Sequence, residues 1–299
     1  TLGNIYLAQG NAEKSIEFLL KASELAPNIA EIFNNLSNAY LSMNDYDQAK
    51  TSAMESIKIN NCFPEAWVTL ANINLKLEKT TAAIEALDKA LKLNPKMYAA
   101  LINLGNIYFD INKLDQSREL FEKAIKINSA SIEAYNGLGL ILNKLGKIDE
   151  AIKNFNIAIQ IDSKNINVLG NLAAAHTKND NSEEAIILYR NALAYEPNNI
   201  DLLTNFAFVL QTIGRSVEAN LNFKRAFSLN TKNNSLIPYL IHSELELCNW
   251  ENYNSNMDTL LTLANNNSQE VIPPFALANS LANPQTRFNV ARRYSKNIE

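Results

Sequence analysis

The feature that most constrains this chain is a period of 34 residues that runs through most of its length. It is clearest over residues 132–165, which read as two amphipathic helices joined by one tight turn. Tyr135, Leu138, Gly139 and Leu142 keep to one stripe of the first helix. Gly146 interrupts the pattern, and Ala151, Phe155 and Ala158 resume it. Neither helix can bury its stripe alone, so the unit demands a neighbour on each side.

The neighbours are copies. They run over 30–63, 64–97, 98–131, 132–165, 166–199 and 200–233, with a partial copy at 1–29. Position four holds Phe33, Trp67, Leu101, Tyr135, Leu169 and Leu203, and position seven holds Leu36, Leu70, Leu104, Leu138, Leu172 and Phe206. These large residues fill the space between the helices of a pair and the next pair. Position eight is always small (Ser37, Ala71, Gly105, Gly139, Ala173, Ala207), as are positions 20 and 27. Small residues there let helix axes approach closely. Pro27, Pro95 and Pro197 sit at position 32, where proline stops the second helix, and Gly10, Gly146 and Gly214 make the turn inside a copy.

Period, alternation of large and small positions, and turn residues together resemble the tetratricopeptide repeat family over residues 1–233. The resemblance implies an all-α fold: a right-handed superhelical solenoid of helix pairs, each touching only its neighbours. An aperiodic helical linker is expected to follow over 234–299. Leu2, Gly3, Tyr6 and Gly10 take positions seven, eight, 11 and 15, so the chain opens inside a first helix without a polar cap. The natural protein is therefore expected to extend further toward the N-terminus.

Beyond Asn233 the period lapses. Helices are expected over 235–247 and about 251–264, a polar loop over 265–268, and a helix from Pro284 behind an Asn283 cap. Between them a segment carries Phe275, Leu277 and Leu281. The run Cys248-Asn249-Trp250-Glu251-Asn252-Tyr253 resembles the C-[DN]-W-x-x-[YF] segment that follows the repeats of O-linked N-acetylglucosamine transferases and the related SPINDLY proteins. Pro274-Phe275-Ala276-Leu277, Pro284 and Arg292-Arg293-Tyr294 are similar to the linker of bacterial members. That family moves N-acetylglucosamine from UDP-GlcNAc to protein Ser and Thr hydroxyls, in two Rossmann-like lobes C-terminal to the linker. The resemblance thus implies a cytoplasmic recognition arm whose parent uses UDP-GlcNAc as donor, while the 299 residues hold no cofactor site and no transferase activity of their own. Animal members carry a histidine-rich stretch in the linker; Pro274–Leu281 has none, so no catalytic residue is carried over.

The first helix of each pair lines the inner face of such a solenoid, with positions two, five, six, nine, 12 and 13 directed into the groove. Position six reads Asn35, Thr69, Asn103, Gly137, Asn171 and Asn205; position nine reads Asn4, Asn38, Asn72, Asn106, Leu140, Ala174 and Phe208. The transferase family is similar in using a ladder of asparagines here to bond the backbone of extended substrates. An amide offers both donor and acceptor, so it pairs with a peptide group whatever the side chains are. The candidate groove residues are Asn35, Asn38, Asn72, Asn103, Asn106, Asn171 and Asn205. The competing explanation is composition, because 45 of 299 residues are Asn, as an AT-rich coding bias would give. Four Asn among six at one position arise from that composition with odds of roughly one in a hundred or less.

Other chemistry is sparse. Net charge is −4, against the basic excess of a nucleic-acid binder, and no run is long and apolar enough for a membrane span. Cys62 and Cys248 form no pairing motif and are expected to be buried free thiols. His176, at position 11, is expected as a packed interior imidazole, and Trp67 and Trp250 as packing residues. Glu31, Glu65, Glu133 and Asp201 form an acidic, solvated fringe at position two. Lys76, Lys144 and Lys178 stand at position 13, but the groove has no arginines and so lacks a carboxylate clamp. Expected partners are protein segments in extended form, with no nucleic acid and no membrane, and the repeats leave a homodimer open. Three functional readings stay open: the arm of a bacterial transferase, a free-standing interaction scaffold, or the same arm fused to another enzyme such as a sulfotransferase.

Overall fold

The computed structural model describes residues 2–230, 234–265, 272–277, 282 and 284–296. All regular structure among them is helical. Two compact units are present, Thr1–Gly146 and Lys147–Glu299. The first contains α1 (Leu2–Ala8), α2 (Ala12–Leu25), α3 (Ala30–Ser42), α4 (Tyr46–Ile59), α5 (Pro64–Lys76), α6 (Thr80–Leu93), α7 (Tyr98–Asp110), α8 (Leu114–Ile127) and α9 (Ile132–Lys144). The second contains α10 (Ile148–Ile161), α11 (Ile166–Lys178), α12 (Ser182–Tyr195), α13 (Ile200–Thr212), α14 (Ser216–Leu229), α15 (Ile237–Glu246), α16 (Tyr253–Asn265) and α17 (Pro284–Lys296).

Within a copy, the two helices cross where the sequence is small. Ser37 Oγ donates to the Ala49 carbonyl at 2.7 Å, joining positions eight and 20 of one pair. Ser117 Oγ makes the mirror contact with the Gly105 carbonyl, also at 2.7 Å. At these two crossings a carbonyl meets the hydroxyl's need in a dry interior, whereas Ser15, at position 20 of the partial copy, is buried with its Oγ unpaired among the described residues. The turn between paired helices needs a left-handed residue. Glycine supplies it at Gly10, Gly146 and Gly214, with φ of 75–77°. Asn44, Glu78, Asn112 and Asp180 adopt φ of 58–62° at the equivalent positions, so the turn does not depend on glycine. Second helices also stop where no proline follows. Asn60, Asn128 and Asp162 leave the helical region just as Asn94 does, and each side-chain oxygen accepts from the backbone N–H two residues on, at 3.0–3.1 Å. Asn11, Asn165 and Asn199 cap helix N-termini. These six asparagines therefore have a structural use that neither a ladder nor coding bias supplies.

The aromatic core residue of α8, Phe121, is fully buried in a slot made by two glycines. A Cβ on Gly105 would lie 2.9 Å from its ring, and one on Gly137 2.4 Å. Gly137 thus departs from the asparagine row because a ring occupies the space.

The tail holds a further helix pair that the sequence period does not announce. Cys248, 34 residues after Gly214, takes the left-handed turn position with φ 53°. The backbone bonds match as well: Asn249 N–H to Glu244 O at 2.9 Å repeats Arg215 N–H to Leu210 O at 2.8 Å. The pattern was hidden because Ile241 and Tyr253 stand at positions eight and 20, where the other copies are small. The second helix accordingly begins at Tyr253, three residues later than the period would place it. Met257 and Leu260 still fall in register and close a core with Ile237 and Ile241. At α14–α15, Lys224 Nζ lies 3.1 Å from the Glu244 carboxylate, whose side chain is 2% exposed. Asn220 donates to Ser243 Oγ at 2.9 Å beside it. Leu281, Asn283 and the loop beyond Asn265 lie outside the described residues, as does the side chain of Phe275.

Both cysteines are exposed, which overturns the expectation of buried thiols. Each sits in a turn, Cys62 between copies and Cys248 inside the tail pair, and turns are where the helix packing leaves side chains to solvent.

Candidate functional site

The first helices put the candidate amides side by side in a specific way. Asn103 Nδ2 on α7 donates to Asn72 Oδ1 on α5 at 2.8 Å. Thr69 Oγ1 on α5 donates to Asn38 Oδ1 on α3 at 3.4 Å. Position nine of one copy therefore meets position six of the next. Each rung consumes one donor and one acceptor. The Asn72 amide nitrogen and the Asn103 carbonyl oxygen keep their own capacity, since a side-chain amide carries two donor hydrogens and an acceptor oxygen. Asn35 and Asn38 are half-buried on α3. Asn106 is exposed and faces the register of Gly137, which has no side chain to answer it.

In the second unit, Asn171 is half-buried on α11 and Asn205 is exposed on α13. The rung chemistry changes there. Asn205 stands in register with Ala174, and the next pairing is Phe208 with Tyr239, edge to face at 4.6 Å. Phe223 joins this cluster at 5.2 Å from Phe208. Burial pushes the Tyr239 hydroxyl above its ordinary range. This aromatic pairing was missed in the sequence because Tyr239 lies past the last recognisable copy.

In three copies position five does not open into the groove as expected, whereas Asn136, Gly170 and Thr204 are half-buried. Asn34, Val68 and Ile102 are each 7% exposed, because successive first helices pack along that line. Asn34 Oδ1 is sealed there without a partner among the described residues, so this amide is a cost and not a ligand contact. In the fringe, Glu31, Glu65 and Asp201 are exposed, whereas Glu133 accepts from the Tyr98 hydroxyl at 2.8 Å. Lys144 Nζ lies 5.2 Å from the Phe109 ring, and Lys76 and Lys178 are exposed.

Trp250 is 61% exposed, against the expectation of a packing residue; its ring meets Tyr253 edge to face at 5.2 Å. Trp67 is half-buried. His176 is half-buried with Nδ1 sealed from solvent and unpaired among the described residues, so it packs without the hydrogen bond an interior imidazole normally finds. Among the described residues, no group of three or more His, Cys, Asp or Glu is placed to hold a metal ion. No described helix is long and apolar enough to cross a membrane.

Paired helices at a 34-residue period, with close crossings at small positions, define a tetratricopeptide solenoid. A family model described as Cilia and flagella-associated protein 70 C-terminal domain matches residues 1–166, and a Tetratricopeptide repeat model matches 168–200. The first match covers more than half of the chain, which therefore belongs to that tetratricopeptide family. A search of the curated proteins finds no match. Among solved structures, a chain of the APC/C hetero-tetramer Cut9-Hcn1 is similar, with TM-score 0.71 and 17% identity over 79% of this chain. This chain spans 46% of that one. A tetratricopeptide repeat protein from Parabacteroides merdae aligns with TM-score 0.63 and 17% identity, covering 81% of this chain and 95% of that one. YrrB, a TPR protein with an unusual peptide-binding site, gives TM-score 0.50 and 20% identity, covering 62% of this chain and 95% of that one. At these identities the likenesses establish the fold.

Proposed function

We propose that this chain is a protein-interaction arm that holds extended polypeptide along its first helices through side-chain amides. The observation that carries the reading is the Asn72–Asn103 rung at 2.8 Å. It fixes two amides on neighbouring helices and leaves an acceptor and donors unspent, which is what a peptide backbone needs from a partner. Asn38, paired with Thr69, repeats the device one copy earlier. The peptide-binding site named for YrrB lends the same use to the fold.

The test is selection of random 15-residue peptides by display on the intact chain, with the best binder remade carrying alternate backbone N-methyl groups. Methylation and Asn103→Ala are each expected to weaken binding about fivefold or more, on the scale of roughly 1 kcal/mol per hydrogen bond. Asn103→Thr, which keeps a hydroxyl as Thr69 does, controls for loss of the rung itself. Undiminished binding of the N-methylated peptide refutes backbone recognition.

The finer reading is that the parent is an O-linked N-acetylglucosamine transferase-like protein, with UDP-GlcNAc as its donor and this chain as its substrate arm. It is supported by Cys248–Tyr253 and Pro274–Leu277, in which exposed Trp250 meets half-buried Tyr253 edge to face beside the Cys248 turn. Sequencing the gene downstream of Glu299 tests it: two nucleotide-sugar lobes uphold the reading, and a stop codon or a phosphosulfate-binding loop overturns it.

A further inference from the structure

A second binding surface lies on the second-helix side of the first unit. A pocket of about 400 Å³ opens between α4 and α6, with Trp67 of α5 at its floor. That volume falls in the range of roughly 300–1,000 Å³ typical of built ligand sites. Its origin is legible. Ala82 and Ala86 line one wall, where the next copy carries Gln116 and Leu120. Two short side chains leave the space that longer ones fill elsewhere.

The floor is fixed. The Trp67 indole N–H donates to the Asn61 carbonyl at 3.1 Å, and Lys89 Nζ sits 4.3 Å from the ring centroid. Met54, on the opposite wall, is 55% exposed, and its flexible thioether can adapt to an entering group. The rim is cationic. Lys50, Lys58 and Lys89 line the pocket against one carboxylate, Glu85, although the whole chain carries a net charge of −4. Lys58 also leans on Glu55 at 3.0 Å and Lys89 on the Trp67 ring, so Lys50 is the rim cation least engaged within the chain, and Lys89, which is exposed, can turn from the ring to a carboxylate.

We propose that this pocket takes a bulky apolar side chain from an acidic protein segment. The apolar side chain lies on Trp67 and Met54, and carboxylates on either side of it meet Lys50 and Lys89. The lysines of the rim favour an acidic partner, and a volume of about 400 Å³ admits a large apolar residue. This site is separate from the amide rungs, for although α5 contributes to both, Asn38, Thr69, Asn72 and Asn103 are not among the residues that line it.

The test uses displayed random octapeptides selected on the intact chain and depleted on an Ala82→Leu variant, which fills the pocket. Groove binders still bind that variant and are removed with it, so the two proposed sites are read apart. Enriched peptides are expected to carry one Leu, Phe or Trp flanked by Asp or Glu. The best peptide is then titrated against a Trp250→Phe chain, in which Trp67 is the sole indole. A saturable change in Trp67 emission is expected. Affinity should fall at least tenfold in Ala82→Leu and in the pair Lys50→Glu with Lys89→Glu, with unchanged melting temperatures. Failure to enrich any peptide, enrichment of basic or neutral ones, or binding that survives Ala82→Leu overturns the proposal.

Discussion

Replacing Gly137 by alanine is expected to destabilise the chain, although alanine is the better helix former. The added Cβ would lie 2.4, 2.5 and 2.8 Å from three carbons of the Phe121 ring. Optimal carbon separation is roughly 3.5–4.0 Å, so the ring must move by an ångström or more. It has nowhere to go. Phe121 is fully buried, and its other edge already stands 2.9 Å from the Cβ site of Gly105. Overpacking costs about 1–3 kcal/mol, and an overlap this deep against a ring held on its other edge lies at about 2–3 kcal/mol, while Gly→Ala in a helix interior returns about 1 kcal/mol. The net loss should be about 1–2 kcal/mol. A repeat array sums local terms, so the loss is best read locally, by native-state hydrogen exchange at α8 and α9. Exchange there should quicken by roughly 5- to 30-fold. Phe121→Leu, which copies Leu87 of the preceding repeat, should reverse the sign: with the ring gone, Gly137→Ala becomes stabilising by up to about 1 kcal/mol. If Gly137→Ala stabilises the chain that retains Phe121, the two-glycine slot is not what holds the ring.

Three further outcomes follow from the second unit and the turns. Lys224→Met strips the buried Glu244 carboxylate of its cation and should cost about 2–3 kcal/mol by denaturant unfolding, somewhat under a fully sealed pair because Lys224 is 38% exposed. Burial pushes the Tyr189 hydroxyl up to about 12, against a hydrogen bond to Thr177 that pulls it down. The folded state then holds a proton that the unfolded chain has lost, so stability is full below pH 10 and falls as pH rises from 10 toward 12; Tyr189→Phe should remove that loss in melting curves. Cys62 and Cys248 should both react with a thiol reagent in the native protein without denaturant, and a thiol that stays silent contradicts its exposed placement.

Most of the fold was legible because a helix pair buries its stripe by a rule that recurs every 34 residues. Large residues at positions four and seven, small ones at eight and 20, and a turn between them are local requirements, and local requirements are written in order along the chain. The tail pair escaped for the same reason. Ile241 and Tyr253 break the small-residue rule, and only the packed backbone, with its left-handed Cys248, restores the period.

The site was legible only in part. The sequence placed Asn72 and Asn103 in their rows, but their bond joins residues 31 apart on different helices, and that register exists only once successive first helices are stacked. The same stacking decided that Asn34, Val68 and Ile102 are buried at position five, that Gly137 makes room for a ring, and that Ala82 and Ala86 leave a pocket open above Trp67. What a residue does within its own helix follows from periodicity. What it meets on the next helix depends on the volumes of several side chains at once, and only the tertiary structure sums them.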